Sequence, residues 1–210
     1  MLDLILPLQC GGCGAPATPW CAACAAALEV GEGAPHVLTP RLDPGVPAFA
    51  LGRYAGPRRQ AIVALKEHGR TDLCAPLARA LAFGVHRLIR WGVVPEPLSL
   101  VPAPTRRSSA RRRGGDPVTR LARAAVAGHS GVAVVPALAM RAFVRDSVGL
   151  DSRGRERNVA GRVRLRTVPP RTPALLIDDI VTTGATARES VGVLRAAGVD
   201  VVAILALAHA

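Results

Sequence analysis

The chain has 210 residues, half of them apolar, which suffices for one domain of ordinary size plus a small appendage. No apolar run reaches the length of a membrane span, since Leu2 to Leu8 is interrupted by Asp3 and Pro7, and a start without a basic leader is a poor signal peptide, so the expected location is cytoplasmic. A net charge of +12 arises from 27 basic residues, all arginine except Lys66, against 15 acids; such a field favours polyanionic partners, among them nucleic acid, pyrophosphate and acidic membrane surfaces.

Residues 1–29 open with a short apolar lead, Met1 to Gln9, expected to form a helical turn or two. Then comes Cys10-Gly-Gly-Cys13, a seven-residue spacer, and Cys21-Ala-Ala-Cys24. Two C-x-x-C pairs offer four thiolates to one tetrahedral ion, and Gly11, Gly12 and Gly14 permit the tight turns each pair needs, so the expectation is a compact knuckle around a structural zinc. Two disulfides or an iron–sulfur cluster are the competing uses of four cysteines, and a cytoplasmic location argues against the first. Cys74 stands apart and reads as a small buried hydrophobe.

Residues 30–47, rich in glycine and proline and without a sustained period, read as a linker to a domain spanning 48–210. A strand is expected at Phe49 to Tyr54 and a helix at Pro57 to His68, with Lys66 and Arg70 at i and i+4 near its end. A second helix, about Ala75 to Trp91, carries Leu77, Leu81, Val85 and Leu88 at helical spacing and reads as a core helix. Leu98 to Val101 is a short buried strand that runs into Pro102-Ala103-Pro104. After it stand Arg106, Arg107, Arg111, Arg112 and Arg113, closed by Gly114-Gly115. These guanidinium groups suit two tasks, covering a bound pyrophosphate or tracking the phosphates of a nucleic acid, although no aromatic interleaves them to stack on bases.

Asp116 and Pro117 read as N-cap and first residue of a helix reaching about His129. A strand is expected at Val132 to Val135 and a short helix at Ser152 to Val159. The five histidines show no ligand spacing. Ala174 to Ile177 is an apolar strand, Ala185 to Ala197 a helix closed by Gly198, and Val201 to Leu207 an apolar last strand. Strands alternating with helices give a parallel α/β sheet, whose ligands bind outside the carboxyl ends of the strands.

The stretch Asp178-Asp179-Ile-Val-Thr182-Thr183-Gly184-Ala185-Thr186 lies at such an end. Hydroxyls, a glycine and a helix start, with Thr186 as the expected N-cap, make an anion cradle sized for phosphate. Carboxylates beside a phosphate need sugar hydroxyls or a divalent cation between them, so the implied ligand is a phosphorylated ribose, with magnesium.

This run resembles the signature of type I phosphoribosyltransferases, which bind 5-phosphoribosyl 1-pyrophosphate (PRPP). The resemblance implies that Asp178 and Asp179 hold the ribose and the charge that develops on it. Thr182, Thr183, Gly184, Ala185 and Thr186 would take the 5′-phosphate, while Ala103, Pro104 and Lys66, helped by magnesium or the arginines, would meet the pyrophosphate. A four-cysteine finger ahead of such a domain is similar to the ComF family, linked to DNA uptake in competent bacteria. The matching residues run in family order: Tyr54 with Gly56, Leu65-Lys66 with Gly69, Val101-Pro102-x-Pro104, Arg113-Gly114, Leu150 with Glu156-Arg157-Asn158-Val159, and the acidic loop. The chain departs from that family where Gly115-Asp116-Pro117 replaces the usual Phe-Asn-Gln, losing an aromatic and two amides. The resemblance implies two roles. One is phosphoribosyl transfer; the other is a PRPP-sensing module whose finger and arginine loop bind single-stranded DNA or a DNA-uptake or helicase protein.

Overall fold

A computed structural model describes residues 8–105, 116–141 and 161–210. The arginine stretch 106–113 and the short helix expected at 152–159 lie outside the described residues, as does most of the apolar lead. Among the described residues the elements run in the order α1 (Ala22–Leu28), β1 (His36–Leu38), β2 (Ala48–Ala50), α2 (Gly56–Glu67), α3 (Cys74–Arg90), β3 (Leu98–Pro102), α4 (Pro117–Ala125), β4 (Val132–Val134), β5 (Leu138–Met140), β6 (Val163–Leu165), β7 (Ala174–Val181), α5 (Ala185–Ala196) and β8 (Val201–His209).

Six strands form one sheet in the order β1-β2-β8-β7-β3-β4, parallel throughout except for β1, which pairs antiparallel at the edge. β5 and β6 make a separate antiparallel pair. The central strands β7 and β8 are apolar along nearly their whole length because both faces of the sheet are covered. On one face, Leu175, Ile177 and Leu205 pack with Ile62 and Leu65 of α2, Leu77, Leu81 and Leu88 of α3, and Leu121 of α4. On the other, Leu176, Ile204 and Ala206 pack with Val191 and Leu194 of α5 and with Leu138 and Val163 of the small sheet.

Several boundaries move for local reasons. The stretch 30–47 carries β1, a strand of three residues and so too short to display a period. The strand expected at Phe49 to Tyr54 is regular only over Ala48–Ala50, after which Arg53 makes an isolated bridge to His209. Asp116 does cap α4, accepting from the amides of Val118 and Thr119 at 3.2 Å each, but that helix stops at Ala125 rather than near His129. Among the described residues no helix is long and apolar enough to cross a membrane.

The connections locate the crevice. β3 leads through α4 to β4 on its outer side, whereas β7 leads through α5 to β8 on the opposite side. Two right-handed crossovers that depart in opposite directions place their helices on opposite faces of the sheet, and here α4 packs on one face and α5 on the other. The strand order therefore reverses between β3 and β7, and the carboxyl ends of these two strands are where a sheet of this kind takes its ligands.

Candidate functional site: an acidic pair and a glycine turn at the switch point

β3 and β7 are hydrogen-bonded only as far as Pro102 and Ile177, and the amide of Ala103 closes the ladder by donating to the Ile177 carbonyl at 2.7 Å. Beyond that point β7 continues to Val181 with β8 alone at its side. Asp178 and Asp179 thus sit within the last half of the strand rather than after it. The apolar run stops at Ile177, which made the strand look shorter than its pairing with β8 makes it.

Alternation along the strand sends the two side chains to opposite faces. Asp179 follows Leu175 and Ile177 onto the face of α2, where Lys66 Nζ lies 2.5 Å from its Oδ2. Asp178 follows Leu176 onto the face of α5, and its Oδ1 accepts from the Asp179 amide at 2.8 Å. Both carboxylates are buried. Burial, then the charge of Asp179, pushes the Asp178 carboxyl well above its ordinary range, and Lys66 only partly offsets them. Burial pulls the Lys66 ammonium down, but Asp179 foremost, with Asp178 and Glu67, outweighs that and raises it. The site thus holds a cation against two acids, one of which favours its proton. Such a site presents both donors and acceptors to a hydroxylated ligand.

The turn after β7 is held from one side. Gly184 has φ +85°, and a Cβ there would lie 2.5 Å from the Leu42 carbonyl oxygen, so both conformation and space require glycine. The Leu42 amide donates to the Thr183 carbonyl at 2.9 Å, fastening the same segment over the turn. Gly184, not Thr186, is the N-cap of α5, because its left-handed backbone brings the helix in directly; Thr186 falls inside the first turn. A glycine cap offers no side chain to the first amides; Ala185 N donates to a local hydroxyl, Thr183 Oγ1, at 3.4 Å. Thr183 and Gly184 are buried, Ala185 and Thr186 half-buried and Thr182 exposed, so the accessible side of the turn is the one bearing Thr182, Ala185 and Thr186. After β3, Ala103 is buried and Pro104 half-buried. Thr105 Oγ1 donates to Asp116 Oδ1 at 2.9 Å, so the two residues flanking the arginine stretch are tied together at the carboxyl end of β3.

The four cysteines form a second centre. All four Sγ atoms of Cys10, Cys13, Cys21 and Cys24 lie within 4.8 Å of one another, none is in a disulfide, and Cys13 Sγ and Cys21 Sγ are 3.6 Å apart. Four thiolates at a zinc–sulfur distance of about 2.3 Å stand about 3.8 Å apart, so the cluster has the dimensions of a closed tetrahedral site. Amides are already directed at the sulfurs: Cys21 N donates to Cys10 Sγ at 3.3 Å and Cys24 N to Cys21 Sγ at 3.4 Å. Burial alone would raise the Cys10 thiol, but the amides of Cys21, Gly12 and Cys13 hold it down at about 6. The donor set and its geometry fit a structural zinc.

The finger is docked firmly. Arg70 donates to the carbonyls of Gln9 (3.1 Å) and Pro19 (3.3 Å) while Asp72 holds the same guanidinium at 2.7 and 2.9 Å. Gly11 lies against Leu73, and Leu28 of α1 joins the core shared by α2 and α3. Cys74 is half-buried, and burial pushes its thiol up.

Comparison with protein-family models and with curated proteins gave no match.

Proposed function

We propose that the chain is a PRPP-binding protein of phosphoribosyltransferase type and ComF kind, with the pocket at the carboxyl ends of β3 and β7. One observation carries this reading. A buried acidic pair and a glycine-capped helix N-terminus meet where the strand order reverses, the position at which an α/β sheet binds a phosphorylated ligand.

In this reading the first amides of α5 and the hydroxyls of Thr182 and Thr186 bind the 5′-phosphate. Asp178 and Asp179 meet the vicinal hydroxyls of the ribose and orient the ring. Cleavage at C1 passes through an oxocarbenium-like state, which a nearby carboxylate stabilises without a covalent intermediate. Lys66 balances Asp179 and is placed to turn toward the leaving pyrophosphate. Magnesium would be held by the pyrophosphate oxygens, neutralising charge on the leaving group. The link to DNA uptake follows from the ComF resemblance and defines the setting in which this binding would be used.

Calorimetric titration of the zinc-loaded chain with PRPP, with and without magnesium, tests the reading. The expected result is binding that depends on magnesium and falls at least tenfold in Asp178→Asn/Asp179→Asn. Absence of heat with magnesium present, or unchanged affinity in that variant, refutes it.

A further inference from the structure

The face of α3 opposite the core is not part of the switch-point site. Leu77, Leu81, Val85 and Leu88 are buried, but Phe83 and Trp91 on the other side are 44% and 48% exposed. They stand eight residues apart, two turns or about 12 Å along the helix. Between them Arg87 lies with its guanidinium carbon 4.4 Å from the Phe83 ring centre and 5.8 Å from that of Trp91. Its Nη1 donates to three carbonyls of the segment after α1, those of Gly31 (2.7 Å), Glu32 (2.6 Å) and Ala34 (3.0 Å). The guanidinium is thereby held in place between the two exposed rings. His86, Arg90 and Glu32 complete the wall of an open cavity of about 320 Å³ beside it.

The geometry points to a binding platform for single-stranded nucleic acid on this face of α3. With Arg87 within 4.4 Å of one ring centre and 5.8 Å of the other, the two rings lie no more than about 10 Å apart, which suits neighbouring bases of a single strand, while Arg90 and His86 lie beside them to meet phosphates. Rings left half exposed on a convex helix do not enclose a free nucleotide, and a duplex hides the base faces that would stack. An acidic protein segment would use the charge but leave the exposed rings unmatched. The platform uses none of the four cysteines and no residue of the arginine stretch, and it does not rest on PRPP binding.

Fluorescence anisotropy with a labelled oligothymidylate of about 20 nucleotides, on the full zinc-loaded chain, decides it. Phe83→Ala and Trp91→Ala are each expected to weaken binding roughly fivefold to a hundredfold. Trp91→Phe should retain most of the affinity, and strand binding should quench tryptophan emission in the wild type but not in Trp91→Phe. Both side chains are exposed, and unchanged circular dichroism checks the fold of the variants. No binding, or wild-type affinity in Phe83→Ala/Trp91→Ala, overturns the proposal. So does equal competition by a mononucleotide, by duplex of the same length or by polyglutamate. Arg111→Ala/Arg112→Ala/Arg113→Ala must leave the tryptophan quenching in place at saturating strand; its loss there would assign the strand to the arginine stretch instead.

Discussion

Replacing Lys66 by methionine keeps most of the length of the side chain and removes the charge placed against Asp179. Asp179 is 8% exposed and its lysine partner 30%, so the pair is largely but not fully removed from water. Breaking a buried ion pair by deleting one member costs about 3–5 kcal/mol, and the partial exposure of Lys66 reduces that to about 2–3 kcal/mol at neutral pH. With a urea slope of about 2–3 kcal/mol per molar, the denaturation midpoint should fall by about 1 M. The loss has a defined pH dependence. Asp178 is already raised above its ordinary value, so the native state binds its proton more tightly than the unfolded chain. Stability from this group is therefore highest below the ordinary carboxylate range and declines as pH rises from there toward the raised value. Without Lys66 the decline should extend to higher pH, because Lys66 is the group that restrains the shift. Urea titrations between acid and neutral pH, on zinc-loaded protein, measure this, and Lys66→Met/Asp179→Asn should recover most of the lost stability. An unchanged midpoint and pH slope in Lys66→Met, or a double variant no better than the single one, would refute the assignment of the pair.

Three further outcomes are expected. Gly184→Ala forces a side chain into a left-handed position and against the Leu42 carbonyl, and should cost about 2 kcal/mol or more in thermal or urea unfolding. Elemental analysis should find zinc bound by the wild type and lost from Cys13→Ser/Cys24→Ser, with chelation lowering helical circular dichroism as α1 comes free. Arg70→Ala removes both hydrogen bonds to the finger backbone; the change should cost about 1 kcal/mol and speed zinc transfer to a colorimetric chelator.

The finger was legible from cysteine spacing alone, since four thiolates at those intervals leave few other arrangements. The acidic loop was legible as a motif but not in its detail. Whether Asp178 lies in or after the strand depends on β8, a partner more than twenty residues away, and the cap of α5 depends on the handedness of one glycine. Lys66 was placed near the pyrophosphate by resemblance, and nothing in its local sequence indicates that it meets Asp179. The aromatic face of α3 was missed for a different reason. The leucine and valine spacing accounts for the helix so fully that Phe83, Arg87 and Trp91, at their own four-residue interval on the far side, drew no separate notice. That second period was the available signal.

Lys66 and Arg70 are one helical turn apart in sequence, the first reaching inward to a carboxylate and the second outward to the finger's carbonyls. The metal knuckle is thus a brace for the end of α2 rather than a module on a tether. A chain stripped of its ion would register the change at its acidic centre as well as at its thiolates.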